Sequence, residues 1–253
     1  MPEAFLQHLP ALPAFSILAL VAFAGGVMRG FSGFGSGLLM APVYAFVMTP
    51  TDVVVIILLL NLITTLPLLR EMRRDVRWPM VWRIFLPSLL GVPVGLAMLH
   101  LIDPEIMRKT VAAIVGVLAA FMLTGWVYKG RRGLVQDSLA GWTSGYMTAI
   151  GGIGGPPLVL YLLSDRNLPQ AAFRAFCLMF FLFAQIFTLV PLSFTGAITA
   201  GQLSLCAALL PLYLVANLLG AALHRRTGPQ HQARVRRICL LFLLAVGIVT
   251  FVI

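Results

Sequence analysis

The sequence predicts an all-α polytopic integral membrane protein made of two inverted-topology repeats, each with a Gly-broken hairpin plus three full spans. Three observations carry this. The 253 residues are 60% hydrophobic and only 10% charged, with a mean hydropathy of +0.98, which argues against a water-soluble globule. The basic residues collect between apolar stretches, as the positive-inside rule requires. Two apolar segments at matching places are opened by glycine: Arg29-Gly-Phe-Ser-Gly33-Phe-Gly35-Ser-Gly37, and Gly151-Gly-Ile-Gly154-Gly155-Pro156-Pro157. In lipid, opened backbone is tolerated only where it faces protein, a ligand or water. Paired interruptions of this kind point to the central binding site of a transporter with internal repeats.

From the N-terminus, Met1 to Pro13 carries no Lys or Arg, so it lacks the basic region of a cleaved signal peptide. Residues 15–48, read as one helix, would extend roughly 51 Å, too long for a hydrocarbon core about 30 Å thick. Broken near 29–37, they become two pieces of about 14 residues, each roughly 21 Å long, either a dipping hairpin or two short spans. Either form returns the chain to its starting side, and residues 137–164 repeat the pattern. Apolar stretches approaching spanning length follow at 51–69, 79–99 and 105–127 in the first half, and at 170–194, 202–223 and 236–253 in the second.

The net charge of +10 indicates orientation rather than nucleic-acid binding once its location is considered. Arg70, Arg73, Arg74 and Arg77 form one cluster, Lys129, Arg131 and Arg132 a second, and Arg225 to Arg237 a third. With these in the cytoplasm, 51–69 runs inward, 79–99 outward and 105–127 inward. The segments 170–194, 202–223 and 236–253 then run outward, inward and outward. Only Arg108 and Lys109 fall outside, and Arg29 lies at the first break. Both termini are predicted outside a multi-pass inner (plasma) membrane protein. Each half makes an odd number of full crossings, so the halves point in opposite directions. A spacing of 119 residues relates Gly33 to Gly152, Gly35 to Gly154 and Pro50 to Pro169, and one of 125 relates Gly95 to Gly220. The single transporter domain, 1–253, thus divides into repeats of about 14–127 and 137–253.

The Gly-x-Gly-x-Gly segment leading to Pro42, the basic loop ending Val76-Arg77-Trp78, and Gly152-Ile-Gly-Gly-Pro-Pro resemble the TauE/SafE sulfite-exporter (TSUP) family. The resemblance covers essentially the whole chain, from about Ala14 to Ile253. It implies a transporter for small sulfur-containing anions such as sulfite or sulfonates. Met40-Ala41-Pro42 departs from the more aliphatic run usual in that family.

An anion site also follows from the residues themselves. Opened helices present N–H groups and positive dipole ends, and an oxyanion must exchange hydration for several fixed donors. The candidate substrate-binding residues are therefore Arg29, Ser32, Gly33, Phe34, Gly35, Ser36 and Gly37 at the first break. At the second they are Gly152, Ile153, Gly154 and Gly155. Asn61 and Thr65, four apart and so on one helix face, follow the first hairpin; Arg174 and Gln185 lie on the span 170–194. Alternative readings remain for each: glycines that permit close helix packing, polar side chains that join helices, Arg29 as a cytoplasmic charge, and Arg174 snorkelling to the inner surface.

No carboxylate lies mid-span, and His8, His100, His224 and His231 are peripheral. HExxH, GxxxxGK[ST] and a strand-flanked GxGxxG are lacking, so no catalytic group, metal or cofactor is expected. Cys177, Cys206 and Cys239 have no motif spacing and are expected to be packing residues. The partners expected are a small sulfur oxyanion or organosulfonate and the lipid bilayer, without nucleic acid; a homodimer is compatible with the pattern. Export driven by membrane potential or an ion gradient is the leading reading. The alternative is a non-transport membrane assembly or scaffold protein.

Overall fold

The computed structural model describes residues 10–69, 74–124, 128, 130, 132–165 and 168–226. Among them are nine α-helices and no strand. In order they are α1 (Leu12–Ser32), α2 (Ser36–Tyr44), α3 (Pro50–Thr65, continued by the 3-10 turn Leu66–Leu68), α4 (Trp78–Leu101), α5 (Pro104–Leu123), α6 (Leu134–Gly151), α7 (Gly155–Leu162), α8 (Gln170–Phe194) and α9 (Ala200–Arg226). Six of these, α1, α3 with its turn, α4, α5, α8 and α9, are long and apolar enough to cross a membrane. The protein is an all-α polytopic membrane protein. The span expected at 236–253, both termini, and Arg70, Arg73, Lys129 and Arg131 lie outside the described residues.

Local chemistry sets the helix starts. At α3, Thr49 accepts from the Asp52 backbone N–H, the Asp52 carboxylate accepts from the Thr49 N–H, and Pro50 follows the cap. At α5, Asp103 accepts from the N–H groups of Glu105 and Ile106. The breaks depend on glycine. Gly33 (φ 85°) closes α1 with its N–H on the Arg29 carbonyl, and Gly152 (φ 67°) closes α6. Both sit in the left-handed region that L side chains avoid.

The breaks are less even than the sequence suggests. The first divides the chain into 21 and 9 residues and the second into 18 and 8, rather than pieces of about 14. The reason is tertiary. α1 and α6 each extend a full helix to pair along their length with a partner from the other half, so only α2 and α7 are short. α2 folds back on α1, with the Tyr44 hydroxyl donating to the Leu18 carbonyl at 2.9 Å. α7 folds back on α6, with the Tyr161 hydroxyl donating to Asp137.

The most extensive packing joins α4 to α6 and α1 to α9. Both pairs run parallel, because contacts advance together along each: Gly141 lies on Ile84 and Gly145 on Ser88, while Gly26 lies on Tyr213 and Gly30 on Asn217. Small residues permit this approach. A Cβ on Gly220 would come 2.1 Å from the Val27 carbonyl oxygen, and one on Gly95 would come 2.6 Å from that of Tyr146. α3 and α8 pack together at the centre and are the most buried spans. An aromatic cluster of Trp78, Trp82, Phe85, Phe180 and Phe183 joins α4 to α8.

Candidate functional site

The two breaks meet. A Cβ on Gly37 would come 2.0 Å from the Gly152 carbonyl oxygen, and one on Gly155 would come 2.9 Å from the Phe34 ring. The first break carries the charge. Arg29, one turn before the end of α1, is 3% exposed. Its guanidinium donates to the Thr65 hydroxyl at 2.7 Å and to the Asn61 carbonyl at 3.4 Å. Its Nε has no hydrogen-bond partner, and no ion pair among the described residues includes it. Thr65 in turn donates to the Asn61 carbonyl at 2.6 Å, which directs its lone pairs at Arg29. Asn61 and Thr65 thus meet Arg29 from one face of α3. The Asn61 Oδ1 accepts from Ser36 at 2.9 Å and from the Tyr213 hydroxyl of α9.

Arg174 does not snorkel to the surface, contrary to the simplest expectation for it. It is buried and donates to the Gly30 carbonyl at 2.8 Å, with its side chain against Gly33. The turn at Gly33 leaves the Gly30 carbonyl without a helical partner, and the second guanidinium satisfies it. Two cations from separate halves of the chain are therefore buried at one break, beside the buried Cys177 of α8.

The remaining candidates have plainer surroundings. The Ser32 hydroxyl lies 2.8 Å from both the Met28 and the Phe34 carbonyl oxygens and shares its one hydrogen between them, so it holds the turn. Gly35 (φ 99°) lies against the end of Met28, and Phe34 and Ile153 are buried apolar contacts. At the second break, a Cβ on Gly154 would come 2.1 Å from the Thr148 hydroxyl oxygen, and the Gly154 carbonyl accepts from Ser144 at 2.6 Å. That break presents no charged side chain, and Pro156 and Pro157 remove two N–H groups from the start of α7. Gln185 is buried on α8 with its Oε1 unbonded. It lies eleven residues, roughly 16 Å, beyond Arg174 on the same helix, away from the Arg29 cluster.

Tyr213, outside the expected set, and Asn217, a polar residue visible within its span but not placed in that set, form the α9 wall of this region. The available signal was a hydroxyl and an amide four apart in an otherwise apolar span, each needing a partner in lipid. A separate network holds the far end of α7: Arg83 of α4 pairs with Asp137, and Arg132 pairs with Asp165 at 2.7 Å while lying over the Tyr161 ring.

Residues 18–250 match the family described as Sulfite exporter TauE/SafE. The chain belongs to that family. The TauE/SafE members are membrane transporters of sulfur-containing anions rather than enzymes. No curated protein and no solved structure matches the chain.

Proposed function

We propose that this TauE/SafE protein exports a small sulfur oxyanion and binds it at the first break, between Arg29, Ser36, Asn61, Thr65 and Tyr213. The observation that carries the reading is the buried Arg29 guanidinium, held by a hydroxyl and a carbonyl and, among the described residues, by no carboxylate. A buried cation without an acid partner costs several kcal/mol. An oxyanion supplies the missing charge and takes up the free Nε. The uncapped start of α2 at Ser36 and Gly37 adds backbone donors and a positive dipole end. The second break, rich in carbonyls and prolines, shapes the site rather than binding the anion.

The helix pairing supports the inverted repeat. Shifting by 119 residues in α1 and by 125 in α9 carries the Val27–Gly220 contact onto Tyr146–Gly95. The same shift of 119 carries Leu18, which receives Tyr44, onto Asp137, which receives Tyr161. Thr148 then stands where the first repeat has Arg29, which gives the site its charge on one side only. Alternating closure of two equivalent halves around the touching breaks is the transport cycle this arrangement suits. An interior-negative potential favours anion exit by about 2.3 kcal/mol per charge per 100 mV, so export can proceed down the potential.

The test is sulfite efflux from proteoliposomes of the purified chain under an imposed potential. Efflux should accelerate with interior-negative potential and fall with Arg29→Ala. Wild-type vesicles that hold sulfite as tightly as protein-free vesicles would overturn the proposal.

A further inference from the structure

The α9 wall contains a buried group that the transport reading leaves unused. Tyr213 and Asn217 are four residues apart and share one face. Tyr213 lies on Gly26 and reaches Asn61. Asn217, one turn onward, lies on Gly30, where a Cβ would come 2.9 Å from its Oδ1. Asn217 is 1% exposed, and neither its Oδ1 nor its Nδ2 has a hydrogen-bond partner. Few buried side-chain amides in native proteins go unpaired, because each orphaned atom costs its full desolvation. Helix packing alone explains neither atom, since alanine or leucine would fill the position without that cost. The unmet needs are specific: one donor and one acceptor, beside Gly30 and adjacent in sequence to Arg29.

We infer that Asn217 is a specificity-determining residue of the anion site. Its Nδ2 donates to an oxygen of the bound anion, and its Oδ1 accepts from a hydrogen that the anion itself carries. The inference rests on the anion-transport reading and narrows the substrate to a singly charged, hydrogen-bearing oxyanion of the hydrogen sulfite type. A fully ionised sulfonate or sulfate brings acceptors only and would set an oxygen against Oδ1. Among the described residues, the titratable groups facing this region are Arg29 from α1, Arg174 and Cys177 from α8, and Tyr213 and His224 from α9 itself, His224 lying edge-on to Phe31. No carboxylate is among them to supply the hydrogen in the anion's place.

The experiment titrates the purified full chain with sulfite at one mildly acid pH, where the hydrogen-bearing monoanion is abundant. A parallel titration uses methanesulfonate, which has the same charge and no acidic hydrogen. Binding is read from the shift in unfolding temperature. Wild type should prefer sulfite by about tenfold or more, the value of one satisfied donor–acceptor pair. Asn217→Leu, similar in size but apolar, should lose about tenfold more for sulfite than for methanesulfonate, which forfeits the Nδ2 bond but escapes the repulsion at Oδ1. Without ligand it should unfold at the same or a higher temperature. Asn217→Ala, which adds no bulk beside Gly30, carries the same expectation should leucine fail to fit. Equal losses for both anions, or an unchanged preference, would overturn the role of Asn217 while leaving the transport reading intact. Wild type that binds neither anion would overturn both.

Discussion

Replacing Arg29 with Met separates a binding cation from a structural one, because the two roles predict opposite signs in stability. The side chain is 3% exposed and is held by the Thr65 hydroxyl and the Asn61 carbonyl. The 2.7 Å bond to Thr65 contributes about 1.5–3 kcal/mol and the long 3.4 Å contact with Asn61 adds little, against a desolvation cost of several kcal/mol for a buried cation without an acid. Apolar replacement of a whole buried ion pair is often neutral or stabilises by about 1–4 kcal/mol, and among the described residues Arg29 leaves no acid behind unpaired. The unliganded Arg29→Met protein should therefore unfold at or above the wild-type temperature. Sulfite binding should move the other way. Losing two charge-assisted hydrogen bonds costs about 3–6 kcal/mol, roughly a hundredfold or more in Kd. Arg29→Lys keeps the charge without the planar fork and should fall between. The assay is thermal unfolding in detergent across a sulfite titration, in which saturation at a hundred times Kd stabilises by about 2.7 kcal/mol. An Arg29→Met protein that melts well below wild type, yet keeps the full sulfite shift, would refute the reasoning.

The other expectations concern packing. Gly220→Ala should destabilise by about 1–3 kcal/mol, because its Cβ would come 2.1 Å from the Val27 carbonyl oxygen; Gly116→Ala, with nothing within 4 Å, should be neutral or stabilising by up to about 1 kcal/mol in the same melts. Gly37→Ala should abolish sulfite flux in proteoliposomes, since its Cβ would come 2.0 Å from the Gly152 carbonyl oxygen and push the breaks apart; normal flux would show that their contact is dispensable. Tyr161→Phe should destabilise more than Tyr44→Phe, because it strips a hydrogen bond from the ion-paired Asp137 rather than from the Leu18 carbonyl. Charged partners contribute about 1.5–3 kcal/mol against about 1 kcal/mol for neutral ones, and comparative melting temperatures decide between them.

The helices were legible in the sequence because lipid allows so few alternatives. A chain this apolar must satisfy its backbone internally, so the expected spans fall on helices, and 170–194 agrees with α8 to the residue. Glycine at 33 and 152 marked both breaks for the same local reason, a φ that only glycine adopts readily. Asn61 and Thr65 were visible as one polar face because helical spacing alone puts them together. The uneven lengths of the broken segments were not visible, since nothing in residues 15–48 states that α1 must match α9 along its length.

Which side chains share the first break was decided in the same way. Arg174 comes to the Gly30 carbonyl across 144 residues of chain, and Tyr213 to Asn61 across 152. Hydropathy and spacing describe one helix at a time and are silent on such meetings. The burial of Arg29 beside a hydroxyl and a carbonyl, rather than at a basic surface, depends on the packing of α1, α3 and α9 together. The sequence by itself determined the helical membrane fold and where it breaks, through local backbone chemistry and the demands of the bilayer. The tertiary structure decided which polar groups face one another there, because close packing of distant helices is a property of the whole chain.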